Sequence, residues 1–201
     1  MIIPEPTEEQ KKEYLARIPK VEIFEGQILP GVIHSSQKTL SLKDFPLDEN
    51  DVIIASFPKS GTIWTCELVS AIVHDADLET IKGITIEERA LRMELLDSIV
   101  PEREASYKLG KTRPTGNRRV WRTHLLPEQL PLAAQQGKCK VIYVARNPKD
   151  TAVSYFHFHR MAKFFGPMPD LSWDNFFLYF TTGFICGGSW FKHVTSYWKF
   201  C

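Results

Sequence analysis

Lys59-Ser60-Gly61-Thr62 is the segment of this chain best suited to hold an anion. Lys59 supplies a mobile cation, Ser60 and Thr62 supply hydroxyl donors, and Gly61 lets the backbone approach an oxygen closely. The order differs from the Gly-Lys-Ser/Thr of nucleotide-triphosphatase loops, and no clear acidic partner for magnesium accompanies it. Taken alone, the loop also fits a solvated turn with an incidental lysine. A second anion grip is Arg146 with Ser154, which lies seven residues after Asn147, close to two helical turns. Two separate grips imply a ligand with phosphate groups at both ends. His124 follows a weak strand pattern, Arg119–Thr123, and an imidazole there is suited to taking a proton from a hydroxyl near neutral pH. A histidine fixed in a core is the alternative for His124, and a surface ion pair is the alternative for Arg146.

These residues need a scaffold that brings them together. Asp51–Phe57 and Lys140–Ala145 are continuous apolar runs, as in strands buried on both faces of a parallel sheet. Arg119–Thr123 is a weaker third strand. Residues 62–74 form a helix with Leu68, Val69, Ile72 and Val73 on one stripe. Residues 148–163 form another, with Asn147 as N-cap, Pro148 at its first position and Asp150 in its first turn. Further helices are expected near 8–18, 87–96, 172–182 and 189–200, and a basic loop near 108–119. In parallel α/β sheets ligands gather at the carboxyl ends of strands. Lys59, His124 and Arg146 are therefore expected to converge at one rim of the sheet.

The bulk properties narrow the class. With 201 residues, 43% of them hydrophobic and 24% charged, the chain reads as one ordinary globular domain. A net charge of +1 provides no field for a nucleic acid polymer, though it permits a local basic pocket. The cysteines at positions 66, 139, 186 and 201 form no CxxC pair or zinc spacing, and read as reduced core thiols of a cytoplasmic protein. His157 and His159 face different directions and lack a third ligand, so no metal is expected. The N-terminus has no apolar signal region. The longest uncharged run, Asn175–Phe191, is broken by Gly183, Gly187 and Gly188, so no membrane span is expected. Phe156, Phe158, Phe164, Phe165 and the Phe176–Phe180 cluster are core candidates, and some of the first four could line an apolar acceptor pocket.

Four segments, in order, resemble the cytosolic sulfotransferase family (sulfotransferase 1 type). Pro58–Trp64 resembles its 5′-phosphosulfate loop, and Arg122–Leu125 its catalytic-histidine segment. Val144–Asp150 with Ala152–Tyr155 resembles its 3′-phosphate site, and Gly188–Val194 a family helix start. The resemblance covers about Val21 to the end of the chain. It implies an α/β fold with a P-loop-like parallel sheet flanked by helices, incomplete at its C-terminus. The organisation would be an N-terminal arm over 1–20 and the N-terminal part of a sulfotransferase domain over 21–201. The implied co-substrate is 3′-phosphoadenosine 5′-phosphosulfate, without a metal. Lys59, Ser60, Gly61, Thr62, Ile63 and Trp64 would hold its 5′ end, with Trp64 on the adenine, and Arg146 and Ser154 would hold its 3′-phosphate. His124 would be the base and Lys59 would stabilise the leaving phosphate during in-line transfer. Arg122, Thr123, His124 and Phe158 would face a small-molecule acceptor such as a phenol, steroid or amine.

Ile63, Arg122 and Leu126 stand where many members carry Thr, Lys and Pro, so one hydroxyl is lost and one cation changes shape. The chain stops within a helical pattern, before the family's late Arg-Lys-Gly loop and its C-terminal dimer motif. A truncated or alternatively spliced product is expected, with an exposed sheet edge and apolar surface. Two other functions stand beside the enzyme: a catalytically impaired nucleotide-binding or interaction protein on the same scaffold, and a P-loop kinase of small metabolites. The loop order counts against the kinase.

Overall fold

A computed structural model describes residues 4–31, 36–95, 118–163, 166 and 168–200. Along the chain run α1 (Glu8–Ala16), β1 (Val21–Phe24), β2 (Gln27–Pro30), α2 (Ser36–Ser41), β3 (Asp51–Ser56) and α3 (Thr62–Val73). Then come α4 (Leu78–Lys82), α5 (Ile86–Arg89), β4 (Ala90–Arg92), β5 (Arg119–Thr123) and α6 (Leu132–Gln135). The last elements are β6 (Lys140–Val144), α7 (Pro148–Met161), α8 (Trp173–Thr182) and α9 (Trp190–Phe200). They divide into two compact units. One holds residues up to 37, Phe57–Lys59 and everything from Arg146 on; the other holds Lys38–Ser56 and Ser60–Ala145.

The second unit is built on a sheet of order β4-β5-β3-β6 with every neighbouring pair parallel. β3 is central, and Ile53, Ile54 and Ala55 are fully buried. Burying each isoleucine contributes about 2 kcal/mol. The start of β3 is pinned by a buried charge. Asp51, at 0% exposure, takes two 2.6 Å hydrogen bonds from Arg119 and one of 3.1 Å from Trp121 Nε1. α3 covers one face, setting Cys66, Val69 and Val73 against Val52, Ile54, Ala90 and Val120.

Three expectations for this unit need correction. Lys140–Ala145 is not buried on both faces: β6 is an edge strand, and Ile142 is 37% exposed. The inner stripe of α3 is Thr62, Cys66, Val69, Ser70 and Val73, whereas Leu68 and Ile72 are exposed. The helix expected over 87–96 is a single turn, α5, followed by β4 and a 3-10 turn at Met93–Leu95. β4 exists because Ala90, Leu91 and Arg92 pair with Val120, Trp121 and Arg122, a tertiary contact that overrides local helix propensity. Residues 108–117 of the expected basic loop, and Leu96, lie outside the described residues, as do Phe164, Phe165 and Cys201.

The first unit packs helices and a hairpin around aromatic rings. β1 and β2 pair antiparallel through Glu25-Gly26, both at positive φ, as a two-residue turn matching the strand twist requires. The N-terminal segment, described from Pro4 on, packs into this core. Its helix α1 carries a capping box between Thr7 and Gln10, and Tyr14 and Ile18 are buried in the core. The Tyr14 hydroxyl accepts from the Cys186 N–H (3.1 Å) and meets His159 Nε2 at 2.9 Å. His159 Nδ1 donates to the Tyr155 carbonyl at 3.0 Å, and Tyr155 donates to the Cys186 carbonyl at 2.9 Å. His159 is thus a structural histidine, held neutral by burial, which lowers its pKa to about 4. Asn147 caps α7 by accepting from the Lys149 N–H, with Pro148 in the first turn. Phe176 and Phe180 are core residues as expected, but Phe177 is 46% exposed.

Candidate functional site

β3, β5 and β6 end in register, with Ala55 beside Thr123 and Ser56 beside Val144. Of the residues singled out by their chemistry, His124 follows β5 directly within the second unit, whereas Lys59 and Arg146 belong to the first unit.

In the second unit, the loop after β3 enters α3 through Gly61. Gly61 is the N-cap and adopts φ 109°, a left-handed conformation that a side chain disfavours. An added Cβ would touch only Val144, at 3.8 Å, so backbone conformation and not crowding demands glycine here. The Ser60 hydroxyl is the informative atom. Ser60 is 4% exposed, and its Oγ has no hydrogen-bond partner among the described residues. A buried hydroxyl without a partner costs about 1–3 kcal/mol, and an incoming anion oxygen at the start of α3 would satisfy it. Thr62 behaves differently: its hydroxyl is turned inward onto Ser56 Oγ at 2.6 Å. Ile63 and Trp64 are exposed, Trp64 at 74%, and Trp64 shares the outer face of α3 with Leu68 and Ile72.

His124 lies one residue beyond β5. Its Nδ1 is 2.8 Å from the Ser56 carbonyl oxygen. Burial lowers its pKa to about 4, the Arg92 charge adds to the fall, and Glu94 and the Ser56 carbonyl oppose it. The imidazole is therefore neutral at physiological pH. Thr123 is buried and donates to Glu94 Oε1 at 3.1 Å, and the His124 N–H donates to the same oxygen. Arg122 reaches Glu87 at 3.5 Å, and its Nε is buried without a hydrogen bond among the described residues. Arg92 is the register partner of Arg122 on β4.

In the first unit, Lys59 and Arg146 meet. Arg146 Nη1 donates to the Lys59 carbonyl at 3.1 Å, which braces a backbone at φ 67°. The Lys59 ammonium lies 4.6 Å from the centroid of the Phe158 ring, a cation–π contact. Ser154 is half-buried on α7. The structure thus brings Lys59, Arg146 and Phe158 together in one unit, and Ser56, Thr123 and His124 in the other.

Glu94 and the Ser56 carbonyl were missed by sequence reasoning. The sequence signal for Glu94 is slight, a carboxylate between Met93 and Leu95 with Arg92 and Asp97 close by; the carbonyl is backbone and gives none. Among the described residues, no group of three or more His, Cys, Asp or Glu is placed to hold a metal ion. No helix among them is long and apolar enough to cross a membrane.

An all-parallel sheet whose central strand runs through a glycine loop into a helix defines an α/β fold with a helix N-terminus at the end of its central strand. A family model described as "Sulfotransferase domain" matches residues 49–201. The chain belongs to the sulfotransferase family. It is similar to dog Sulfotransferase 1A1, with 37% identity over 171 residues, covering 85% of this chain and 56% of the dog protein. It is also similar to bovine Sulfotransferase 1A1, with 36% identity over 187 residues, covering 93% of this chain and 57% of that protein. The chain thus spans little more than half the length of these relatives. Among solved structures, mouse sulfotransferase SULT7A1 complexed with PAP matches with TM-score 0.69 and 32% identity, over 89% of this chain and 57% of that one. Retinol dehydratase in complex with androsterone and inactive cofactor PAP shares the fold, with TM-score 0.74 and 23% identity, over 97% of this chain and 65% of that one.

Proposed function

We propose that this chain is the donor-gripping and base-carrying part of a sulfotransferase. It would move a sulfuryl group from 3′-phosphoadenosine 5′-phosphosulfate to a hydroxyl or amine of a small apolar acceptor such as a phenol or steroid. The observation that carries this is His124. Its Nδ1 faces a carbonyl, which only accepts, so Nδ1 carries the proton and the neutral ring holds its lone pair on Nε2. That is the form a general base needs.

The donor fits the residues present. Ser60's unsatisfied buried hydroxyl and the N-terminus of α3 suit the 5′-phosphate. Lys59, with Gly61, Thr62, Ile63 and Trp64, completes that end. Arg146 and Ser154 are assigned to the 3′-phosphate, and Arg122 and Phe158 to the acceptor side, whereas Thr123, buried with its hydroxyl on Glu94, is not available to the acceptor. When bound, the donor supplies the sulfur electrophile and a phosphate leaving group. His124 takes the acceptor proton at Nε2, and Lys59 stabilises the charge developing on the departing phosphate. A cytoplasmic location, with no nucleic acid or membrane partner, belongs to the same proposal.

A second function is favoured by Trp64, Leu68 and Ile72, which leave an apolar stripe exposed on α3. A nucleotide-binding or interaction protein with impaired catalysis would present such a face. Labelled donor with a panel of phenols, steroids and amines, together with calorimetry against adenosine 3′,5′-bisphosphate, separates the two. Transfer that is lost by 100-fold or more in His124→Ala, with nucleotide affinity kept, supports the enzyme. Nucleotide binding without transfer by the unaltered chain selects the second function, and absence of binding rejects both.

A further inference from the structure

We propose that Glu94 is a positioning residue for the His124 base, acting on its backbone and not on its ring. This rests on the assignment of His124 as the proton acceptor in sulfuryl transfer. Glu94 sits in the turn directly after β4, at 1% exposure. A carboxylate that deep is tolerated only where its oxygens are used. Its Oε1 accepts from two consecutive residues, the Thr123 hydroxyl at 3.1 Å and the His124 N–H. The Thr123 oxygen in turn accepts from the Leu125 N–H at 3.1 Å. Thr123, His124 and Leu125 are thereby tied to a single carboxylate oxygen. The other oxygen faces Arg92 Nε at 3.4 Å, an ion-pair distance without hydrogen-bond geometry.

The need for such a tether follows from where β5 stops. Its ladder ends at Thr123, so His124 stands where strand pairing no longer fixes the backbone. Glu94 takes the His124 N–H that another strand would have taken. The ring then hangs from a fixed Cα and delivers Nδ1–H to the Ser56 carbonyl. The base is held at two points, its backbone by the turn after β4 and its ring by the end of β3. Loss of the first lets the ring leave the second, and with it the tautomer that places the lone pair on Nε2. Arg92 helps to fix Glu94, and is itself fixed opposite Arg122 by β4–β5 pairing.

Nitrogen-15 NMR of the imidazole in the whole chain, combined with steady-state kinetics, tests this. Glu94→Gln keeps a carbonyl acceptor; Glu94→Leu keeps the volume and removes it. The unaltered chain and Glu94→Gln should show His124 protonated at Nδ1, with kcat within about threefold of each other. Glu94→Leu should relax the ring toward the tautomer mixture of free imidazole and lower kcat roughly 10- to 100-fold, with the KM for donor changed less than about threefold. A Glu94→Leu protein that loses activity or thermal stability while His124 stays protonated at Nδ1 makes Glu94 merely structural and overturns the proposal. So does one with unchanged tautomer and unchanged kcat. Should Glu94→Leu not fold, Glu94→Gln decides through the His124 backbone amide proton. That proton lies downfield when bonded to a carboxylate and must move upfield in the amide variant. An unmoved amide proton overturns the tether. Because the NMR readings need no turnover, a chain without transferase activity fails the proposed function while the Glu94 tether is still decided.

Discussion

The 2.8 Å contact between His124 Nδ1 and the Ser56 carbonyl joins the end of β5 to the end of β3 and decides which ring nitrogen keeps a proton. Because burial holds the imidazole pKa at about 4, the ring is unprotonated over most of the usable pH range, as the proposed base requires. The pH profile of kcat/KM for the acceptor should therefore lack a limb near 6.5. Activity should stay level on descending from pH 8 to pH 5.5 and fall only as the pH nears 4. A half-maximal point close to 6.5, absent from His124→Ala, would show that His124 titrates as an ordinary surface imidazole.

The same depression links folding to pH. Both His124 and His159 have folded pKa values near 4, below the ordinary value near 6.5. The unfolded chain binds more protons than the folded chain between these values, so stability rises with pH across that window. The contribution is fully present above about 6.5 and is lost as pH falls through about 4. It amounts to roughly 3 kcal/mol at most for each histidine. Urea midpoints measured between pH 7 and pH 4 should fall, and His159→Gln should flatten the decline. A midpoint constant over that interval would contradict the buried neutral state of both rings.

Asp51 is the most exacting polar residue of the sheet. It is fully buried, and Arg119, Trp121 Nε1 and the Asp48 N–H all donate to it. Asp51→Ala strands a largely buried guanidinium, so the cost should be about 3–5 kcal/mol in denaturant unfolding. Combining Asp51→Ala with Arg119→Met should recover part of that loss, because the uncompensated charge goes too. A double variant no more stable than the single one would place the cost elsewhere than in the stranded charge.

The sequence revealed most where a local signal coincides with the global fold. The apolar run of β3 and the Asn147-Pro148 cap of α7 are features of this kind, and both elements appear where expected. β6 was misjudged because an apolar run does not say whether a strand is central or at an edge. α3 was turned the wrong way because its inner face includes Thr62, Cys66 and Ser70, while Trp64, Leu68 and Ile72 point out. β4 has three residues and forms by pairing with β5, so no local pattern announces it. Among the proposed site residues, Lys59, His124 and Arg146 stand out in the sequence because side-chain type and position just after a strand pattern both mark them. The Ser56 carbonyl and the buried Glu94 do not, since their contacts with His124 form only when distant strands meet.

Lys59 separates the demands of backbone and side chain. Its φ of 67° places it in the left-handed region, where a residue other than glycine is strained by about 1–2 kcal/mol. The Arg146 guanidinium braces its carbonyl, and Phe158 receives its ammonium. Lys59→Ala and Lys59→Gly both delete the ammonium and the cation–π contact, and both keep the carbonyl that Arg146 holds. They differ in backbone freedom alone. Lys59→Gly should therefore be more stable than Lys59→Ala by about 1 kcal/mol, after the greater chain entropy of glycine offsets part of the relieved strain. Both should lose turnover alike, by roughly 100-fold or more, since the missing charge is the one assigned to the departing phosphate. Urea unfolding beside sulfuryl-transfer rates makes the comparison. Equal stability of the two variants would deny the strain, and retained turnover in either would remove Lys59 from the chemistry.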